Sequence, residues 1–196
     1  MKIPMPAAVL AGGASRRMGR PKAALPYGAS TLLEFQTTRL SEIFEEVLVV
    51  AKEPPGFSAG PARIVLDGAP DLAAIQGLIR ALGEASDRVF VLAVDLPALP
   101  TALIREIAQR SLESQAPAFL PRSDKTLQPL AGVWRRAALE AALRRRALGH
   151  LSLTGLADEV GAEVFEETEW RALDPSRIAF TNLNTLEQYA ALRERA

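Results

Sequence analysis

The sequence predicts an α/β fold, a three-layer αβα domain around an open, mainly parallel sheet. Three observations predict it. Short apolar runs bounded by turn residues recur along the chain, as buried strands do. Stretches with helically spaced apolar residues separate them, which is the rhythm of βαβ units. The chain has 196 residues, enough for one domain with a substantial core, and it reads as a single domain over 1–196.

Met5 to Ala11 reads as the first buried strand. A helix starts near Thr31, where Glu34 completes a capping box. Val47 to Val50 and Arg63 to Leu66 are short apolar runs, hence the next two strands. Between them, Pro54 to Pro61 holds three prolines and two glycines in eight residues and reads as a mobile loop. Leu72 to Glu84 is helical, with Ile75, Leu78, Ile79 and Leu82 on one stripe. Val89 to Val94 is a strand, and a helix follows from Thr101 to Leu112. Ala116 to Leu120 and Leu130 to Trp134 are two more strands. Arg136 to Ala147 is helical, a short helix starts at Leu153, and Glu163 to Glu166 is a further strand. Thr185 opens the last helix, with Gln188 placed for another capping box.

Composition removes several classes of function. The 23 basic and 23 acidic residues cancel, so no global positive field favours nucleic acid, and any phosphate binding must be local. There is no cysteine, which excludes disulfides, thiolate nucleophiles and zinc–sulfur sites. His150 is the lone histidine, so multi-histidine metal sites are excluded as well. A required metal is then hard and oxygen-bound, with Mg²⁺ the expectation. A cytoplasmic location fits the absence of cysteine. No apolar run reaches the roughly 20 residues that span a bilayer. The opening Met1-Lys2-Ile3-Pro4 lacks a signal-peptide core.

The most informative segment runs Val9-Leu10-Ala11-Gly12-Gly13-Ala14-Ser15-Arg16-Arg17-Met18-Gly19-Arg20-Pro21-Lys22. An apolar strand ends in two glycines, and cations follow. Glycine tolerates positive φ and lets the main chain approach a ligand closely. Successive N–H groups in such a turn make a concave anion site. Arg17 can grip phosphate oxygens through its planar fork, and Lys22 acts as a point charge. The segment is neither G-x-x-x-x-G-K-[ST] nor G-x-G-x-x-G. A second chemical group stands at Asp95-Leu96-Pro97, just after the Val89 to Val94 strand. Ligands of open α/β sheets sit beyond the carboxyl ends of strands. Asp95 therefore points toward the same edge as the glycine loop, where it either holds Mg²⁺ across triphosphate oxygens or caps the following helix.

The residues Leu10 to Lys22 resemble the signature Leu-Ala-Gly-Gly-x-Ser-x-Arg-Met-Gly-x-x-Lys of molybdenum cofactor guanylyltransferases, within the nucleotidyltransferase superfamily. The resemblance extends along most of the chain, to Asn184. It implies a single nucleotidyltransferase domain with a nucleotide-diphospho-sugar transferase-like, Rossmann-like sheet. It matches Asp95 to the family's metal-binding aspartate in Asp-x-Pro, and Asp67 to an aspartate that helps bind the nucleotide. Asn182-Leu183-Asn184-Thr185 is similar to the family's Asn-x-Asn-Thr-Pro, where asparagines orient the acceptor or the metal; Leu186 stands in place of its proline. Gln128 to Trp134 resembles the family's later strand, which implies the acceptor side of the cleft there.

Departures cluster near the expected base and ribose pocket. Ala51 replaces a family asparagine, and Pro70-Asp71-Leu72-Ala73-Ala74 replaces Gly-Pro-Leu-Ala-Gly. Cytidylyl relatives usually show Leu-Ala-Ala-Gly, so Gly12 speaks for guanine. Other polar and aromatic features have plainer readings. Gly132 either permits close backbone approach or relieves crowding in a strand. Arg144-Arg145-Arg146 reads as a solvated helix face, since consecutive helical residues point different ways. His150 reads as a turn residue, and Trp134 and Trp170 as packing residues.

The resemblance implies transfer of GMP from GTP to the molybdenum–molybdopterin cofactor, with pyrophosphate released. Asp95, Lys22 and Arg17 would be catalytic, and Asp95 would be the metal ligand. Leu10, Ala11, Gly12, Gly13, Lys22, Asp67, Asp95, Asn182 and Asn184 would bind nucleotide, metal or acceptor. The acceptor phosphate is already a nucleophile, so no general base is needed. The expected product recipient is a molybdoenzyme or its chaperone, with the protein a monomer or weak homo-oligomer, away from membranes and nucleic acid. The alternatives are a molybdopterin cytidylyltransferase, another nucleotidyltransferase on the same scaffold, and a GTP- or cofactor-binding protein without transfer activity.

Overall fold

The computed structural model describes residues 1–12, 21–68 and 73–183. Gly13, Arg17, Asn184 and the helix expected from Thr185 lie outside them. The strands are β1 (Ile3–Leu10), β2 (Pro26–Tyr27), β3 (Ser30–Thr31), β4 (Phe44–Ala51), β5 (Arg63–Leu66), β6 (Arg88–Ala93), β7 (Ala118–Ser123), β8 (Thr126–Leu127), β9 (Ala131–Arg135) and β10 (Glu163–Phe165). The helices are α1 (Leu32–Ser41), α2 (Ala74–Glu84), α3 (Thr101–Ser111), α4 (Leu139–Ala147), α5 (Leu153–Val160) and α6 (Glu167–Trp170).

The main sheet runs β10-β7-β9-β6-β1-β4-β5, with β8 paired to β7 outside this path. β1 lies parallel between β4 and β6, and β5 extends the parallel set. β9 runs against both its neighbours, β6 and β7. The expected mainly parallel α/β sheet is thus present, with one strand reversed among those of the main path.

The central strands carry long apolar runs, Met5 to Leu10, Val47 to Ala51 and Val89 to Ala93, because both faces of the sheet are covered there. In β1, Ala7 and Val9 join one core, while Ala8 and Leu10 join the other. In β6 the same split separates Phe90 and Leu92 from Val89 and Val91. Leu32, Leu33 and Leu40 of α1 and Leu103, Ile104 and Ile107 of α3 cover the first face. Ile75, Leu78 and Leu82 of α2, with Leu153 and Leu156 of α5, cover the second. This is the three-layer arrangement.

Local chemistry sets the helix ends. The Thr31 hydroxyl accepts from the Glu34 backbone N–H at 3.2 Å and caps α1. The Glu34 carboxylate, expected to close the capping box, instead accepts from Ser58 Oγ at 3.2 Å. That bond ties the Pro54 to Pro61 segment to α1, and Ala59 within it is buried, so the stretch is anchored at its centre. Ser152 caps α5, and Gly161 ends it in the left-handed region at φ 71°. The expected Arg136 to Ala147 helix begins with a 3₁₀ turn before α4. The β2–β3 ribbon, β8 and α6 were not foreseen; each spans only two to four residues, too short to carry a hydrophobic period.

Candidate active site

Because β1, β4, β5 and β6 are parallel, their carboxyl ends meet on one rim. A cavity of about 220 Å³ opens there. Leu10, Ala11 and Gly12 enter it from β1, Val50 and Lys52 from β4, Asp67 from β5, and Val94 and Asp95 from β6. Ala73, Ala74 and Gly77 line it from the start of α2, and Lys22 from the 3₁₀ turn at Lys22–Ala24. The structure thus brings Leu10, Ala11, Gly12, Lys22, Asp67 and Asp95 together, as the sequence led one to expect.

The end of β1 is fixed by its neighbours. Ala11 N–H donates to the Val50 carbonyl at 2.9 Å, and Val94 N–H donates to the Leu10 carbonyl at 3.2 Å. Gly12 does not adopt positive φ, contrary to one reason for expecting glycine there. Among the described residues a Cβ on it would meet only Asp67 Oδ2, at 3.8 Å, an ordinary contact. The bare position therefore answers no crowding among the described residues, and it leaves the main chain open to the cavity. Gly77 is the reverse case. A Cβ there would sit 3.2 Å from Leu10 Cδ1, so this glycine lets α2 lie close against β1.

Lys22 Nζ donates to Asp95 Oδ2 at 2.7 Å. Both side chains keep about a fifth of their surface exposed, 20% and 21%. The pair is a charge-assisted contact on the cavity wall rather than a buried structural bridge. Asp95 does not cap α3, whose first residue follows Pro100 with no side-chain cap. Asp67 takes its place through its backbone. Its N–H donates to the Ala51 carbonyl at 2.9 Å, and its carbonyl accepts from Gln76 Nε2 at 3.0 Å.

Asn182 is exposed and does not line the cavity, but the next residue reaches the site. Leu183 N–H donates to the Asp95 carbonyl at 3.0 Å. The buried Asp174 carboxylate organises this approach by accepting from Ile178 N–H at 3.2 Å and Ala179 N–H at 3.0 Å.

The remaining singled-out residues are structural. A Cβ at Gly132 would lie 2.7 Å from Leu120 Cδ2 and 2.8 Å from the Phe119 carbonyl oxygen, so relief of crowding explains this glycine. Arg144 and Arg145 both pair with Glu159. Trp134 and Trp170 are fully buried. Sequence reading missed Lys52 and Gly77. The rule that ligands gather at strand carboxyl ends marks Lys52, and a glycine inside a strong helical pattern marks Gly77.

Among the described residues there is no group of three or more His, Cys, Asp or Glu side chains able to hold a metal alone. No helix among them is long and apolar enough to cross a membrane.

Comparison with known proteins agrees with this geometry. Residues 7–162 match the model of the MobA-like NTP transferase domain. A Mycobacterium avium strain 104 protein named "Probable molybdenum cofactor guanylyltransferase" is 35% identical over 192 residues, covering 95% of this chain and 93% of that one. The molybdenum cofactor guanylyltransferase of Syntrophotalea carbinolica is 30% identical over 188 residues, covering 95% and 90%. The crystal structure of molybdopterin-guanine dinucleotide biosynthesis protein A from Archaeoglobus fulgidus superposes with a TM-score of 0.85 at 21% identity, covering 97% and 98%. That likeness speaks for a shared fold. The glycine-ended β1, the Asp95–Lys22 wall and these matches lead to one conclusion: the chain is a nucleotidyltransferase that belongs to the family of MobA-like NTP transferase domains.

Proposed function

We propose that this protein transfers GMP from GTP to the terminal phosphate of the molybdenum–molybdopterin cofactor. The observation that carries the reading is the meeting of the Gly12 end of β1 with Asp95 and Lys22 on one cavity. The names of the relatives from Mycobacterium avium and Syntrophotalea carbinolica support the choice of guanine and of the acceptor.

In the reaction an acceptor phosphate oxygen bonds to the α-phosphorus of GTP, the bond from that phosphorus to the β-bridging oxygen breaks, and pyrophosphate leaves. The protein supplies alignment and charge. Backbone at Leu10 to Gly13 is assigned to the nucleotide. Lys22 draws charge toward the leaving pyrophosphate, and Arg17 is assigned the same task. Asp67, which lines the same cavity, is assigned to the nucleotide. Asn182 and Asn184 are assigned to the acceptor or the metal.

The donor set fits Mg²⁺. Two carboxylates, Asp95 and Asp67, line the cavity, and a hard cation held by one or two carboxylates completes its shell with phosphate oxygens and water. Asp95 would hold it, and such an ion would supply positive charge to the reacting phosphates. A cytoplasmic location and a molybdoenzyme or its chaperone as recipient complete the proposal.

The test is pyrophosphate release with each of the four nucleoside triphosphates, with and without molybdenum-bearing molybdopterin. GTP-selective release that requires the pterin is the expected outcome. A second reading, cytidylyl transfer, draws on Ala51 at the end of β4 and on Ala74, which lines the cavity; CTP selectivity would decide for it. Nucleotide binding without pyrophosphate release would overturn both.

A further inference from the structure

Two polar side chains of α1 are buried where an apolar stripe is expected. Gln36 and Arg39 stand three residues apart, on one face, beside the buried Leu32, Leu33 and Leu40. Gln36 Nε2 donates to the Val94 carbonyl at 3.1 Å. Arg39 Nη1 donates to the carbonyls of Leu99 at 2.7 Å and Pro97 at 3.3 Å, and Nη2 donates to that of Leu96 at 3.2 Å. With the Leu183 bond to Asp95, the carbonyls of Val94, Asp95, Leu96, Pro97 and Leu99 are all held. The held segment is the one that presents Asp95.

This arrangement is a poor investment in stability. Arg39 has no carboxylate partner among the described residues; carbonyl dipoles and the face of Phe35, 5.1 Å away, receive its charge. Burial pushes its guanidinium down to about 10, with Tyr27 opposing. Gln36 Oε1 and Arg39 Nε are buried with no hydrogen-bond partner among the described residues. An apolar residue of similar volume at position 36 would remove the unpaired Oε1 and leave the Val94 carbonyl without that donor, so the two effects on stability oppose each other. What the two polar groups secure is the path of residues 94–99, and displacement of a catalytic group by about 1 Å costs roughly 10²-fold in rate.

We propose that Gln36 and Arg39 are positioning residues that set the Asp95 carboxylate on the cavity wall, retained for transfer rather than for stability. The proposal rests on the role assigned to Asp95 above.

Gln36→Met removes both polar atoms at nearly constant shape. Three readouts are taken: the melting temperature, the kcat and KM of pyrophosphate release, and Mn²⁺ binding to the GTP-loaded protein by electron paramagnetic resonance. The melting temperature should stay within about 3 °C of the parent or rise. The kcat should fall roughly tenfold, with KM for GTP within about twofold and Mn²⁺ binding severalfold weaker. Arg39→Lys keeps a charge but cannot fork to three carbonyls, and should show the same kinetic pattern. Unchanged kcat and Mn²⁺ binding in Gln36→Met would overturn the proposal. So would loss of its cooperative melt, because the side chain would then serve the fold. Asp95→Asn is run alongside: turnover retained in that variant strikes the active-site reading itself, however Gln36→Met behaves. If the parent releases no pyrophosphate, transfer is wrong, and Mn²⁺ binding with the melt still decides the positioning role.

Discussion

Asp95 and Lys22 stand 73 positions apart in sequence and 2.7 Å apart in space. The glycine-ended strand and the Asp-Leu-Pro exit pointed to one shared rim, and what folding adds is the direct contact between Lys22 and Asp95. Asp95→Asn keeps the shape and removes the charge. We expect kcat for pyrophosphate release to fall about 10²–10³-fold, the worth of one well-placed electrostatic group. Lys22→Met should lower kcat and raise KM for GTP, and the double variant should lose less than the product of the single losses, because the partners are in contact. A purely multiplicative result in steady-state kinetics would separate their roles. Gly132 shows a residue that sequence left open between two readings. Its missing Cβ is required by the Phe119 carbonyl 2.8 Å away, which is backbone and cannot swing aside. Gly132→Ala should destabilise by about 1–3 kcal/mol, measured by urea unfolding, with no change in KM for GTP.

Elements with a strong period were legible. β1, the Val47 to Ala51 part of β4 and the Val89 to Ala93 part of β6 announced themselves because two cores claim alternate residues of each, so these stretches carry no polar side chain. α1 was found through its Thr31 cap, yet its function was hidden. Gln36 and Arg39 look like surface residues in sequence, and nothing local says that a loop nearly 60 residues later will take their hydrogen bonds. The Asn182 segment was noticed for its side chains, whereas its contact to Asp95 is made by the Leu183 backbone, which any residue but proline could supply. Between α4 and α5 the coupling is electrostatic. Hydrogen bonds from Arg145 and Arg144 hold the Glu159 carboxyl below its ordinary 4.5. A carboxylate depressed in the folded state adds stability above its unfolded pKa and loses it as pH falls through the folded value. Glu159→Gln should therefore melt slightly below the parent at pH 7, with the gap closing as pH is taken below about 4. Scanning calorimetry across that range checks it; a gap independent of pH would assign the effect to packing.

At the scale of the molecule, the sheet sorts tasks by its two ends and its flanks. Parallel β1, β4, β5 and β6 deliver Gly12, Lys52, Asp67 and Asp95 to one rim, and reversed β9 adds Leu130 there from its entry side. That much followed from strand order, which is why the rim residues were foreseeable and the flanks were not. One flank is β5, where Ile64 and Leu66 are 40% and 44% exposed. On its other face Arg63 reaches Glu46 of β4 and Glu84 of α2, both at 2.9 Å. An outer strand with open backbone groups invites a stranger to pair with it, and a fixed charge is a common deterrent. Arg63→Val would leave Val-Ile-Val-Leu along that margin, a short greasy ribbon of the kind that seeds fibrils. Such a variant should melt close to the parent yet scatter more light within hours of concentration. Arg63 is then a sentry for solubility, and the enzyme's shelf life hangs on a side chain far from anything it catalyses.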